Sequence, residues 1–208
     1  MPLLTVNLHV AGKRCLIVGG GKIARQKAER LMEAGADLSV VAPEVGSMPK
    51  GVRIIRGTVE PEDLDGMYLA IFATDDRVLN RKLYHLARGK GVLSMAVDDV
   101  DAADFFAPAV LRRGDLEIAV STCGKGPAFS GHIRDLIGNL IDESYGEALE
   151  WFARFRQTRL KGVSMAKRAG LFRHLLALDY IEYFRSGRIA QWEARVEAVL
   201  ASRSGETD

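Results

Sequence analysis

Gly19-Gly20-Gly21-Lys22-Ile23-Ala24 puts small residues at the first, third and sixth positions of a turn. That spacing suits the pyrophosphate of a dinucleotide. Gly19 permits a tight turn, Gly21 lets the backbone come close to phosphate oxygens, and Ala24 lets the next helix lie against the preceding strand. The phosphates would rest on free N–H groups at the helix N-terminus, where the dipole favours anions. Lys22 adds a positive charge there or points into water. The same residues also suit a plain strand-to-helix connection. Context favours the nucleotide, because the turn follows an apolar run, opens a helix and begins a strand–helix–strand unit. The second strand is expected to present an acid to the adenosine ribose. Val41, Ala42 and Pro43 offer none and Glu44 follows them. No Arg stands there to grip an extra phosphate, so NAD is expected rather than NADP.

Two further strand ends are rich in polar groups. "FATDD" sets Thr74, Asp75 and Asp76 just past an apolar run, either as a cap for the next helix or as cofactor contacts. "MAVDDVDAADFF" sets Asp98 as the first polar side chain off another buried run, with Asp99, Asp101 and Asp104 behind it. A carboxylate at Asp98 can accept a proton while a hydride leaves. If the neighbouring acids converge on it, like charge raises its pKa. The alternative is a solvated acidic turn. A second glycine-rich turn, Gly124-Lys125-Gly126-Pro127, opens a later helix, with Ser121, Thr122, Ser130, His132 and Arg134 around it. It reads equally as an anion site and as an ordinary helix start with Pro at the first position. His132 reads as a structural or solvated histidine.

These residues need a scaffold, and the hydrophobic pattern supplies one. "RCLIV" over 14–18 is a short apolar run bounded by Gly, as for a buried strand. A helix is expected from about Lys22 to Ala34, with Ile23, Ala24, Lys27, Ala28, Leu31 and Met32 on one face. Only the Lys27 stem breaks that stripe. "DLSVVAP", "VRIIRG", "MYLAIFAT" and "GVLSMAV" are expected as strands, with a helix from about Arg77 to Arg88. Strands alternating with helices imply a parallel sheet. "FFAPAVLRRGDLEIAVST" then reads as two strands joined at Arg113-Gly114-Asp115. From Pro127 onward nearly everything reads as helical, with Gly162, Gly170 and Gly187 as breaks and a frayed "SRSGETD" tail. The expected boundaries divide the chain into 1–110, 111–144 and 145–208.

Composition agrees with a folded chain: 48% of residues are hydrophobic, 27% charged, and the formal charge is +2. The balance favours neither nucleic acid nor an acidic partner, and the basic residues of the helical half are mixed with Glu and Asp. Cys15 and Cys123 form no disulfide framework and no metal spacing, and Cys15 reads as a small core residue. No run of about 18 apolar residues predicts a membrane span, and the N-terminus makes a poor signal peptide. A soluble, cytoplasmic protein is expected.

"CLIVGGGKIARQKAERLMEAGA", "AIFATDD", "AVDDVDAADFFAPAVL" and "AVSTCGKGPAFSGHIR" occur in the order seen in precorrin-2 dehydrogenases, which include the dehydrogenase–chelatase part of siroheme synthases. The chain resembles that family over roughly residues 1–160. The resemblance implies an α/β fold: an N-terminal Rossmann-like parallel sheet, a small central α+β dimerisation region and a helical C-terminal domain. It implies NAD-dependent oxidation of precorrin-2 to sirohydrochlorin by a homodimer, with Fe(II) or Co(II) insertion in some members. The family's key aspartate falls on Asp98. Its cofactor turn falls on Gly19–Ile23, its adenosine side on Pro43 and Glu44, and its third cofactor segment on Thr74–Asp76. The turn at Gly124–Pro127 falls where the family faces the tetrapyrrole, and Ser121, Gly124, Lys125, Gly126 and Arg134 are the expected substrate-binding residues. The chain departs at Met95, where the family often has Asn, and at Gly126, where some relatives have Ser. A tetrapyrrole bearing acetates and propionates suits scattered cations, and Arg112, Arg113, Lys125 and Arg134 are candidates. Arg112 and Arg113 also suit an exposed hairpin turn. A different class of function also fits the glycine turn: a dinucleotide-sensing module whose helical half contacts a partner. That module would not need Asp98.

Overall fold

A computed structural model describes residues 3–204, which divide into two compact units at Ala107–Pro108. The first holds β1 (Arg14–Val18), α1 (Lys22–Glu33), β2 (Asp37–Ala42), β3 (Arg53–Arg56), β4 (Leu69–Phe72), α2 (Arg77–Gly89) and β5 (Leu93–Ala96). Its five strands pair in the order β3-β2-β1-β4-β5, all parallel. The chain therefore leaves β1 in one direction to reach β2 and the other to reach β4. Loops leaving these strands part at that point, which opens a crevice at their carboxyl ends.

Alternation along the central strands builds two separate cores. Leu16, Val18, Ala70 and Phe72 face one side and pack with Leu83, Tyr84 and Ala87 of α2. Cys15, Ile17, Leu69 and Ile71 face the other and pack with Ala24 and Ala28 of α1. The apolar face of α1 is narrower than its sequence suggests: Ile23 is 42% exposed, while Ala24 and Ala28 are fully covered. Burial pushes the Cys15 thiol up to about 11, as expected of a core residue. After β5 the chain folds back, and Ala103 forms an antiparallel bridge with Met95. Ala96 N–H donates to the Ala102 carbonyl and Asp104 N–H to the Ser94 carbonyl.

The second unit opens with the antiparallel hairpin β6 (Ala109–Arg113) and β7 (Leu116–Val120), joined by Gly114-Asp115. Five helices follow: α3 (Pro127–Leu140), α4 (Ser144–Arg159), α5 (Met165–Leu176), α6 (Tyr180–Arg185) and α7 (Ile189–Ser204). Their core is aromatic, with Trp151, Phe152, Phe155, Phe184 and Trp192 buried together. Trp151 and Phe155 stack at 5.1 Å between ring centres. Gly162 and Gly187 lie between helices, as expected. Gly170 does not, because it sits inside α5. A glycine costs roughly 1 kcal/mol there relative to Ala, and the buried Leu171 and Leu175 of the same helix offset it. The tail expected to fray from Ser202 is helical to Ser204, and Gly205–Asp208 lie outside the described residues. No helix among the described residues is long and apolar enough to cross a membrane.

Candidate functional site

A cavity of 770 Å³ lies at the carboxyl ends of β1, β2, β3 and β4. Gly19, Gly20 and Gly21 line it together with Pro43 and Glu44 after β2 and Thr74, Asp75 and Asp76 after β4. Eight of the ten sequence-selected cofactor residues thus share one space. Lys22 and Ile23 are the exceptions: they are exposed residues in the first turn of α1 and do not line it.

The three glycines have different reasons to be glycine. Gly19 has φ +125, and a Cβ there would stand 2.3 Å from the Ala73 carbonyl oxygen. Gly20 is locked between loops, since a Cβ would stand 2.0 Å from the Glu44 carbonyl oxygen. Gly46 N–H also donates to the Gly20 carbonyl at 3.1 Å. Gly21 faces open space, with nothing within 4 Å of an added Cβ. It is the N-cap of α1 and supplies no side-chain cap, and the first turn of α1 carries no acidic residue. An anion is the natural partner for such a helix end. A cradle closed behind by backbone and open in front fits a pyrophosphate.

Asp76 caps α2, its carboxylate accepting from Val78 N–H at 2.8 Å and Leu79 N–H at 3.0 Å. The capping role and the cavity-lining position belong to one residue. Thr74 is fixed by Asn80, which is only 2% exposed. Asn80 Oδ1 accepts from Thr74 Oγ1 at 2.6 Å and from Thr74 N–H at 3.2 Å, and its amide donates to the Thr74 carbonyl at 2.9 Å. Sequence reasoning passed over Asn80, although a polar residue one turn before Leu83 and Tyr84 on the covered face of α2 was a usable signal. It also passed over Gly57, Thr58 and Val59, which line the cavity from beyond β3. No local pattern marks those residues.

Asp98 does not line this cavity. It follows β5, the strand beside β4, and has a left-handed backbone at φ 62. Among the described residues its carboxylate takes part in no hydrogen bond or ion pair. The neighbouring acids do not converge on it. Asp99 holds Arg81 through two bonds of 2.7 and 2.9 Å, which keep its carboxyl below the usual range. Asp104 accepts from the Tyr84 hydroxyl at 3.0 Å and from Ser94 N–H at 3.0 Å. Asp99 thus has a cationic partner, whereas Asp104 is held by neutral donors. The Lys27 ammonium is the cation that feels Asp98. Burial and then Arg30 push its pKa below the ordinary lysine value, and Asp98 pulls it back.

The second glycine turn, in the other unit, is held by its own hydroxyls. Ser121 Oγ accepts from Cys123 N–H at 3.2 Å, and Thr122 Oγ1 accepts from Gly126 N–H at 3.2 Å. Gly124 and Lys125 lie at its tip. Three of the four candidate cations are engaged within the unit. Arg112 pairs with Glu117, and Arg134 with its neighbour Asp135 at 2.6 Å. Arg113, its side chain only 19% exposed, donates to the carbonyls of Ile141 at 2.8 Å and Gly138 at 3.3 Å. It serves the C-terminal end of α3 rather than an exposed hairpin. Lys125 is exposed and has no ion pair among the described residues. Within those residues no group of three or more His, Cys, Asp or Glu is placed to hold a metal ion.

Residues 6–109 match a family model described as NAD(P)-binding, and residues 113–140 match the central region of sirohaem biosynthesis proteins. The chain is 31% identical over 207 residues to a siroheme synthase of Photorhabdus laumondii, covering 96% of this chain and 44% of that protein. It is 33% identical over 216 residues to a siroheme synthase of Chromobacterium violaceum, covering 99% of this chain and 46% of that protein. The chain thus spans less than half the length of these relatives. Among solved structures, SirC, a precorrin-2 dehydrogenase, superposes with a TM-score of 0.77 at 25% identity, covering 94% of this chain and 100% of that one.

Proposed function

This chain belongs to the NAD(P)-binding family whose model spans residues 6–109, and from that premise we propose that it oxidises precorrin-2 to sirohydrochlorin with NAD as hydride acceptor. The observation that carries this reading is an anion-ready glycine cradle with an exposed carboxylate, Asp98, just past the neighbouring strand β5, making no hydrogen bond or ion pair among the described residues. The likeness to a precorrin-2 dehydrogenase over 94% of the chain supports it.

Gly19–Gly21 and the N-terminal turn of α1 would hold the pyrophosphate, with Lys22 and Ile23 offering only backbone groups. Pro43 and Glu44 would flank the adenosine, and Thr74–Asp76 the remaining ribose. Glu44 lines the cavity and can accept from ribose hydroxyls, whereas a 2′-phosphate beside it would be repelled. Arg56 pairs in register with Ala42 but does not line the cavity, so NAD is the proposed form.

Oxidation of precorrin-2 removes a hydride and a proton and extends the conjugation. When bound, NAD supplies the hydride acceptor. The role proposed for this chain is to orient the ring system, exclude water and accept the proton on Asp98. Lys125, with Ser121, Gly124 and Gly126 around it, is proposed to meet substrate carboxylates, and Arg134 to take part only by exchanging its Asp135 partner. Metal insertion, if the chain performs it, would draw on Asp98 and the substrate's own nitrogens. We retain 1–110, 111–144 and 145–208 as the functional division. A homodimer through the central part is supported by α3, whose Phe129, Leu136 and Leu140 leave one apolar stripe exposed. A reaction that draws on the NAD pool belongs in the cytoplasm.

The test is anaerobic incubation of purified protein with precorrin-2 and either NAD or NADP, followed by absorbance. Sirohydrochlorin should form with NAD in preference to NADP. Asp98→Ala should lower turnover by ~10²-fold or more with NAD affinity nearly unchanged. NAD binding without any turnover by the wild type would favour the sensing module instead.

A further inference from the structure

Helix α2 grips the segment after β5 at two points. Arg81 Nε and Nη2 donate to the two carboxylate oxygens of Asp99 at 2.7 and 2.9 Å, a bidentate fork. Three residues on, and on the same side of the helix, the Tyr84 hydroxyl donates to Asp104 at 3.0 Å. Residues 99–104 are thus pinned to one helix at both ends. Asp99 also organises its own surroundings. Its Oδ1 accepts from Asp101 N–H at 3.1 Å, and its carbonyl accepts from Ala102 N–H at 3.3 Å. Its N–H donates to the Ala96 carbonyl at 3.4 Å, which closes a four-residue turn with Asp98 in third place. Asp98 has φ 62 there, a conformation usually left to Gly or Asn. Such a backbone persists at another residue only where the surroundings over-determine it. The Asp98 side chain makes no hydrogen bond or ion pair among the described residues, so the holding falls to the residue that follows it.

We propose that Arg81 is a positioning residue: its fork on Asp99 holds the turn that displays the Asp98 carboxylate for proton transfer. The catalytic half of this proposal rests on the dehydrogenase reading, whereas the hold on the turn does not. Arg81 does not line the dinucleotide cavity, so its effect reaches the reaction through Asp98 and not through the cofactor. Its neighbour Asn80 serves the other loop, fixing Thr74 on the cavity wall. Consecutive residues of α2 therefore divide the work, Asn80 setting a cofactor wall and Arg81 the proton acceptor.

Two measurements separate the claims. The first is amide hydrogen exchange by NMR, which needs no substrate. In Arg81→Met the Asp101 and Ala102 amides should exchange about tenfold faster or more, while Val97, bonded to the Phe72 carbonyl across the sheet, keeps its wild-type rate. Unchanged rates at Asp101 and Ala102 overturn the hold on the turn. A faster Val97 would mean a loosened sheet rather than a freed turn, and overturns it equally. The second is steady-state turnover of precorrin-2. Arg81→Met should lower kcat about tenfold, with KM and NAD affinity within about twofold of wild type. Arg81→Lys keeps the charge without the fork and should recover only part of the loss. Added to Asp98→Asn, Arg81→Met should lower the residual turnover no further, because its effect passes through that carboxylate. An unchanged kcat, a raised KM alone, or a further loss beside Asp98→Asn overturns the positioning role. If the wild type fails to turn over precorrin-2 while the amides respond as expected, the dehydrogenase reading falls and the hold of Arg81 on the turn stands.

Discussion

Asn80 holds Thr74 at three points: its Oδ1 accepts from the Thr74 hydroxyl at 2.6 Å and from the Thr74 N–H, and its amide donates to the Thr74 carbonyl. A buried side chain of α2 thereby sets the path of the loop that forms one wall of the cavity. Asn80→Ala leaves the Thr74 backbone groups without that partner. Its expected cost is ~1–3 kcal/mol in a urea unfolding curve, with weaker NAD binding. Thr74→Val removes one of the three bonds, and the double variant should cost less than the sum of the two. Full additivity would mean that the two residues act independently.

Gly20 and Gly21 make opposite predictions. Gly20→Ala drives a methyl into the Glu44 carbonyl, 2.0 Å away, and into Val45 Cα at 2.9 Å. Backbone must shift, so a destabilisation of ~1–3 kcal/mol is expected, together with loss of NAD binding. Gly21→Ala meets nothing within 4 Å. Its melting temperature should change little, since Ala in place of Gly at an N-cap costs about 1 kcal/mol or less. NAD affinity should nevertheless fall about tenfold, because the methyl occupies the open side of the cradle. Wild-type affinity in Gly21→Ala would place the pyrophosphate elsewhere.

Asp99 gives the acid limb of stability a specific cause. Its hydrogen bonds to Arg81 hold its carboxyl below the ordinary value of 3.8, against the opposing effect of burial. A lowered folded-state pKa contributes stability that is complete above the unfolded carboxylate range and is lost as pH falls through the folded value. Asp99→Asn keeps an acceptor for Asp101 N–H and removes the charge. The variant should be less stable than wild type at pH 7, and the difference should shrink below about pH 4. Added salt should also narrow it, since Arg81 is exposed. Urea midpoints at the two pH values check this. A difference that persists unchanged at low pH would assign the effect to shape rather than charge.

Features carried by short-range pattern were readable before the structure. The apolar run at Cys15–Val18, the turn at Gly19–Gly21 and the covered Ala24 and Ala28 follow from periodicity and residue size within some fifteen residues. Contacts between distant segments were not. Gly20 is held by Glu44, and Gly57–Val59 complete a wall that begins at Gly19. Neither relation leaves a mark in local sequence. Arg113 shows the same limit. Beside Gly114 it reads as a wet turn residue, yet it reaches Ile141, 28 positions on, to satisfy helix-end carbonyls. The acids after β5 read as one cluster, but Arg81, Tyr84 and Ser94 divide them, and that division lies in α2 and β5 rather than in the acidic stretch.

The return of the chain at Ala102–Asp104 along β5 has a consequence for solubility. β5 is the last strand on its side of the sheet, and a bare terminal strand is a template for pairing with foreign chains. The Met95–Ala103 bridge covers that margin with the protein's own backbone. Growth of the sheet by accretion is blocked at this border by a segment that follows directly on the turn carrying Asp98.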